Sequence, residues 1–96
     1  MKIYLNTGNA LKFKIASHIL KEYGLDLVQE KIDTPEIQSS NGQAICEYSA
    51  LYAAKQIGAP VLKTDVSYNI DGLNGFPGPF VKFINQWLSA EDLLRL

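Results

Sequence analysis

The sequence is poor in the residues that most restrict chemistry. It has a single cysteine, Cys46. That excludes an internal disulfide and a cysteine-only metal cage, and it suits a reducing compartment. One histidine, His18, and one arginine, Arg95, further limit the reactions the chain can host. It also lacks an excess of charge: nine basic against ten acidic residues leave a net charge of −1. Nothing in that balance favours nucleic acid or an acidic membrane surface as partner. No apolar run approaches the roughly 18–20 residues of a membrane span. The apolar start, Met1 to Leu5, breaks at Asn6-Thr7-Gly8-Asn9, so no signal-peptide core is expected and the cytoplasm is the expected location. What is present is an ordinary globular balance, 47% hydrophobic against 20% charged over 96 residues. This is enough for one modest domain, residues 1–96, and not for a second lobe.

Along the chain, Lys2–Leu5 reads as a short buried strand ending in a tight loop. A helix is expected over Ala10–Tyr23, with Leu11, Ile15, Ile19 and Tyr23 inward, Ala16 and Leu20 widening the stripe and Gly24 closing it. Leu25–Ile32 reads as a second strand, stopped by Asp33-Thr34-Pro35. A second helix over Gln43–Ile57 would turn Ile45, Tyr48, Leu51 and Tyr52 inward and stop at Gly58 and Pro60. Pro60–Lys63 is a third strand, and Tyr68–Ile70 suits a short fourth. A turn-dense stretch, residues 71–79, precedes a third helix from Pro79, with Phe80, Ile84, Trp87 and Leu88 on one face. Ser89-Ala90-Glu91-Asp92 is a capping box opening a fourth helix. The order argues for an α/β fold, a mixed, partly parallel sheet flanked by helices.

In such sheets ligands bind outside the carboxyl ends of the strands. Thr7-Gly8-Asn9 leads into a helix carrying Lys12 in its first turn. Exposed amides, the helix dipole and an ammonium together suit a phosphate, although a plain strand-to-helix turn with a solvated lysine has the same pattern. The loop matches neither the GxxxxGK[ST] nor the GxGxxG spacing. Gly75 to Lys82 gives a second glycine- and proline-rich loop that places a lysine at a helix start. Glu36 and Asp65 each follow a predicted strand, and carboxylates near phosphate suit Mg²⁺. Cys46 has no basic neighbour and reads as an inert thiol.

Taken in order, Thr7-Gly8-Asn9-Ala10-Leu11-Lys12, Pro35-Glu36-Ile37-Gln38, Thr64-Asp65 and Leu73-Asn74-Gly75-Phe76-Pro77-Gly78-Pro79-Phe80-Val81-Lys82 resemble the inosine triphosphate pyrophosphatase family. The likeness is to its N-terminal half, and to archaeal members in particular. The family hydrolyses non-standard purine nucleoside triphosphates, such as those of inosine and xanthosine, to monophosphate and pyrophosphate. The resemblance implies that Thr7, Gly8, Asn9, Lys12 and Lys82 hold the triphosphate and that Glu36 and Asp65 hold Mg²⁺. Asp65 would also help activate the attacking water. The sequence departs from the family at five positions. Thr64 stands where an acid is usual, Val66-Ser67 where a small polar residue and glycine are usual, Ile15 where glutamate is common, and Ser49 where a lysine is usual. The Phe-Gly-x-Asp-Pro and Ser-His-Arg segments that grip the purine in the family do not occur in these 96 residues. Weak or no turnover is therefore expected from this chain alone. The other reading is a non-catalytic nucleotide-binding module, or a homodimer joined through the apolar end Leu93-Leu94-Leu96.

Overall fold

The computed structural model describes residues 1–96. They form two compact units, Met1–Gln38 with Gln43–Thr64, and Ser39–Gly42 with Asp65–Leu96.

The first unit is built on β1 (Lys2–Asn6), α1 (Ala10–Lys21), β2 (Asp26–Glu30), α2 (Gly42–Ile57) and β3 (Val61–Leu62). The strands form a parallel sheet in the order β2-β1-β3. Lys2 stands opposite Asp26 and Asn6 opposite Glu30, while Tyr4 and Leu5 pair with Val61 and Leu62. The chain steps from β1 out to β2, then back across to β3. With right-handed crossovers, that reversal sets α1 and α2 on opposite faces of the sheet. Leu5 on the central strand is fully buried, and Leu27, Ile45 and Ala53 are the unit's other buried apolar side chains. Gly24 and Gly58, at φ +74° and +72°, follow the ends of the two helices as the sequence suggests.

The helical periods are where expected, but two of the buried faces are not. In α1 the half-buried side carries Phe13, Ala16, Ser17 and Leu20, and no residue is fully buried. Leu11, Ile15, Ile19 and Tyr23 face out. Residues 13, 16, 17 and 20 satisfy the helical period as well as the four-residue stripe does, and spacing alone cannot choose between them. In α2 the buried residues are Ile45, Ser49 and Ala53, whereas Tyr48, Leu51 and Tyr52 are exposed. The small side chains at 49 and 53 let the helix lie close to its neighbours, which a tyrosine there would prevent.

The second unit holds β4 (Tyr68–Asn69), a 3₁₀ turn (Asp71–Leu73), β5 (Pro77–Gly78), α3 (Val81–Trp87) and α4 (Ala90–Leu94). β4 and β5 pair antiparallel, Tyr68 opposite Gly78. The hairpin is closed by the Ile70 N–H donating to the Phe76 carbonyl at 3.0 Å and the Gly75 N–H to the Ile70 carbonyl at 3.0 Å. α3 starts at Val81, two residues past Pro79, with Phe80 as its N-cap: the first helical bond runs from the Ile84 N–H to the Phe80 carbonyl at 3.1 Å. Its inner stripe is Val81, Ile84 and Leu88. Phe80 and Trp87 are exposed, and Trp87 tilts against Phe83 with ring centroids 5.6 Å apart. The Ser89 capping box forms as read: the Asp92 N–H donates to Ser89 Oγ, and the Ser89 N–H and hydroxyl donate to Asp92 Oδ2, each at 2.9 Å. Those two donors hold the Asp92 carboxyl below its ordinary value.

Gly78 is the tightest point of this unit. Its φ is +57°, and an added Cβ would lie 3.2 Å from Asn69 Oδ1 and 3.4 Å from the Gly75 carbonyl. Gly78→Ala is expected to lower stability by about 1–3 kcal/mol, combining left-handed strain with the crowding. Urea unfolding followed by Trp87 fluorescence measures it, and a loss below 0.5 kcal/mol would contradict the assigned backbone.

Candidate phosphate site at the sheet edge

All three strands of the first unit run the same way, so their carboxyl ends share one edge. The β1–α1 loop leaves from the centre of that edge. The Thr7 N–H donates to the Glu30 carbonyl at 2.9 Å, and Gln29 Nε2 donates to the Thr7 carbonyl at 3.2 Å. The start of the loop is thereby fastened to β2. The chain then turns on its own side chains. The Asn9 N–H donates to Thr7 Oγ1 at 3.1 Å, and the Lys12 N–H donates to Asn9 Oδ1 at 3.0 Å, the bond of an N-cap.

This accounting shows what the loop has left to offer. Thr7 and Asn9 have spent their oxygens on the backbone, so neither could meet a phosphate through an acceptor. Thr7 keeps its hydroxyl proton and Asn9 its amide hydrogens. The N–H groups of Gly8, Ala10 and Leu11 have no acceptor in the protein. They lie at the positive end of a twelve-residue helix, and Lys12, half-buried, makes no ion pair. The side chains and the first helical amides of this loop thus present donors and a positive charge, the complement of an anion.

Lys31 joins this loop, and the sequence reading missed it. A Cβ placed on Gly8 would lie 3.4 Å from Lys31 Cδ and Cε and 3.8 Å from its Nζ. The lysine therefore lays its stem along Gly8 and brings a second ammonium. The signal was register: Asn6 stands opposite Glu30, so Lys31 stands level with Thr7. That is legible only once the parallel pairing is known.

The segment after β2 is tied down at two points. Asn6, 4% exposed, donates from Nδ2 to the Ile32 carbonyl at 3.1 Å and accepts from the Ile32 N–H on Oδ1 at 2.8 Å. Ser49, 1% exposed, donates from Oγ to the Pro35 carbonyl at 3.4 Å. Glu36 follows directly, its side chain exposed. Where the family resemblance calls for a lysine, this chain has a small hydroxyl beneath the loop that carries Glu36. On the far side of β1, Cys46 Sγ donates to the Lys63 carbonyl at 3.4 Å, which agrees with an inert, half-buried thiol.

Thr7, Gly8, Asn9 and Lys12 thus share one loop, with Glu36 on a tethered segment after the adjacent strand. Asp65 and Lys82 belong to the second unit. There, Asp65 Oδ1 accepts from the Val66 N–H at 2.9 Å and leaves Oδ2 free. Lys82 is exposed in the first turn of α3. Nowhere do three His, Cys, Asp or Glu side chains gather as a metal cluster. His18 is exposed on α1, and Arg95 lies 4.0 Å from Glu91 and 3.8 Å from Asp92. No helix is long and apolar enough to cross a membrane.

The model of the Ham1 family matches residues 3–95. The dITP/XTP pyrophosphatase of Methanopyrus kandleri is 38% identical over 96 residues, all of this chain and 51% of that protein. The dITP/XTP pyrophosphatase of Methanosarcina acetivorans is 37% identical over 95 residues, 99% of this chain and 52% of that one. Among solved structures, a nucleoside-triphosphatase, dITP/XTP pyrophosphatase, from Mycobacterium abscessus superposes with a TM-score of 0.72. It is 22% identical and covers 95% of this chain and 49% of its own. That likeness establishes the α/β fold. The chain spans about half the length of the curated relatives it matches.

Proposed function

Since the chain belongs to the Ham1 family, we propose that it serves nucleoside triphosphate pyrophosphohydrolysis, cleaving non-standard purine triphosphates such as those of inosine and xanthosine to monophosphate and pyrophosphate. The observation that carries this reading is the β1–α1 loop, whose first helical amides are unspent beside two lysine side chains. A triphosphate laid there meets the free N–H groups of Gly8, Ala10 and Leu11, the Thr7 hydroxyl and the ammonium groups of Lys12 and Lys31. The family resemblance adds Lys82 to the triphosphate ligands.

Attack at the α-phosphorus needs charge neutralised on three phosphates and a base for the incoming water. The family resemblance gives that role to Asp65, whose Oδ1 accepts from the Val66 N–H while Oδ2 has no protein donor. The donors Glu36 and Asp65 are both carboxylates, the hard oxygen ligands that Mg²⁺ prefers, and one or two of them suffice because the ion keeps waters and takes phosphate oxygens. When bound, the ion would neutralise phosphate charge. The reading predicts that calorimetry with a non-hydrolysable inosine triphosphate analogue shows binding that weakens about tenfold without Mg²⁺ and about equally on Glu36→Gln. Affinity indifferent to both would remove the metal from the proposal.

The placement of His18 and Arg95 favours a second reading of the 96 residues by themselves. The one histidine is on the outer side of α1 and the one arginine is occupied by Glu91 and Asp92. Neither stands ready to read a purine. Binding with little hydrolysis is expected from this chain alone, and a pyrophosphate-coupled assay beside a full-length relative checks it. A cytoplasmic, homodimeric setting fits the same reading, with exposed Leu94 and Leu96 as the contact.

A further inference from the structure

We propose that Gln29 is a positioning residue for the β1–α1 loop. Its side-chain amide latches the Thr7–Gly8 peptide in the orientation that offers the Gly8 N–H, and not the Thr7 carbonyl, to a phosphate. This deepens the pyrophosphatase reading and rests on it for the nature of the ligand, while the latch itself is a property of the loop. Three peptide groups lead from β1 toward α1. The first is held by the Thr7 N–H, which donates to the Glu30 carbonyl at 2.9 Å. The third is held by the Asn9 N–H, which donates to Thr7 Oγ1 at 3.1 Å. Between them lies the peptide of the Thr7 carbonyl and the Gly8 N–H, to which the backbone gives no bond at either end. What holds it is Gln29 Nε2, donating to the Thr7 carbonyl at 3.2 Å.

A trans peptide is planar, and its C=O and N–H point in opposite directions. Holding the carbonyl toward the Gln29 side chain therefore turns the Gly8 N–H the other way. Rotated by half a turn, the same group would present an oxygen to an anion, a repulsion in place of a hydrogen bond. The loop is free to make that rotation because residue 8 is glycine. Gly8 is not among the glycines with positive φ, and a Cβ there would meet nothing nearer than the flexible stem of Lys31 at 3.4 Å. The backbone as it stands would accept another residue. What glycine adds is access to the rotated state of opposite φ. The position of Gln29 follows from strand geometry. Side chains two apart share a face, so Leu27, Gln29 and Lys31 form one row. Leu27 is buried, Gln29 reaches the Thr7 carbonyl and Lys31 lies along Gly8. Lys31 brings charge to the loop and Gln29 brings orientation, fixed before any ligand arrives.

The test compares this chain with its Gln29→Met and Gln29→Lys variants, using inorganic triphosphate as the probe. Methionine has no donor, whereas lysine keeps one. Residual dipolar couplings without ligand read the direction of the Gly8 N–H bond, and calorimetry reads affinity for the probe. In the wild type and in Gln29→Lys, the Gly8 coupling is expected to fit the structure. In Gln29→Met it should fall toward the average of two orientations, with the α1 couplings unchanged, and affinity should drop about fivefold. The proposal is overturned if Gln29→Met leaves the Gly8 coupling as in the wild type, whatever its affinity, or if Gln29→Lys loses that coupling too. It is also overturned if the coupling changes and affinity does not. A wild type that binds no inorganic triphosphate would count against the phosphate reading of the loop, while the Gly8 coupling would still decide whether the latch exists.

Discussion

Replacing Asn6 by alanine is expected to lower the unfolding free energy by about 2–4 kcal/mol, the loss of two buried hydrogen bonds together with the stranding of their backbone partners. Urea denaturation followed by far-ultraviolet circular dichroism gives the value. The size of the effect comes from position. Asn6 is the last residue of the central strand, nearly inaccessible, and it satisfies both the N–H and the carbonyl of Ile32. Nothing else in the structure takes over either bond. Asn6→Asp separates the two halves of the clamp. Its ionised carboxylate still accepts from the Ile32 N–H but repels the Ile32 carbonyl, and a protonated carboxyl could donate to that carbonyl. The carboxyl's folded pKa is thereby raised above its unfolded value. The variant should accordingly gain stability as the pH falls through that raised pKa toward about 3.9, the ordinary aspartate value. A variant that behaves like wild type at every pH would show that the clamp carries no weight.

The second large effect concerns binding. Lys12→Ala and Lys31→Ala are each expected to weaken triphosphate binding about tenfold, since a charge-assisted contact to an exposed anion is worth about 1.5 kcal/mol. The pair together should cost about a hundredfold if the two ammonium groups act independently. Lys14→Ala, on the same helix but away from the loop, should change affinity less than twofold. Calorimetry at two ionic strengths adds a check, because the wild type should lose more affinity in high salt than the double variant does. If Lys12→Ala weakens binding and Lys31→Ala leaves it untouched, Lys31 merely covers Gly8. If neither matters, the loop is not the cradle.

The contrast between these two lysines shows what the sequence could and could not reveal. Lys12 follows Asn9 by three residues, and local geometry alone places it in a first helical turn. Lys31 is nineteen residues further on, and only the parallel register brings it level with Thr7. The same division runs through the fold. The capping box at Ser89, the glycines at 24 and 58 and the order of strands and helices depend on neighbours in sequence, and all were legible. Which face of a helix turns inward depends on what it meets. In α1 only the edge of the expected stripe, Ala16 and Leu20, is half-buried, joined by Phe13, while the larger aliphatic residues Leu11, Ile15 and Ile19 face out. Ser49 and Asn6 were passed over for a related reason. Each is a short polar residue whose importance lies in a backbone partner 14 or 26 positions away. The β5 strand, a two-residue Pro-Gly pair, carries no strand signal at all and exists because β4 lies alongside it.

Asn9 ties together two things usually inherited separately. Its side-chain oxygen closes the first turn of α1, and that same act leaves the helix's other amides pointing outward. If the loop binds phosphate as proposed, a change at this position would damage folding and ligand capture at once. Variation in such a loop would be filtered by a single pressure, with no route by which the chain could drift to a better-folded but empty version of itself through this residue.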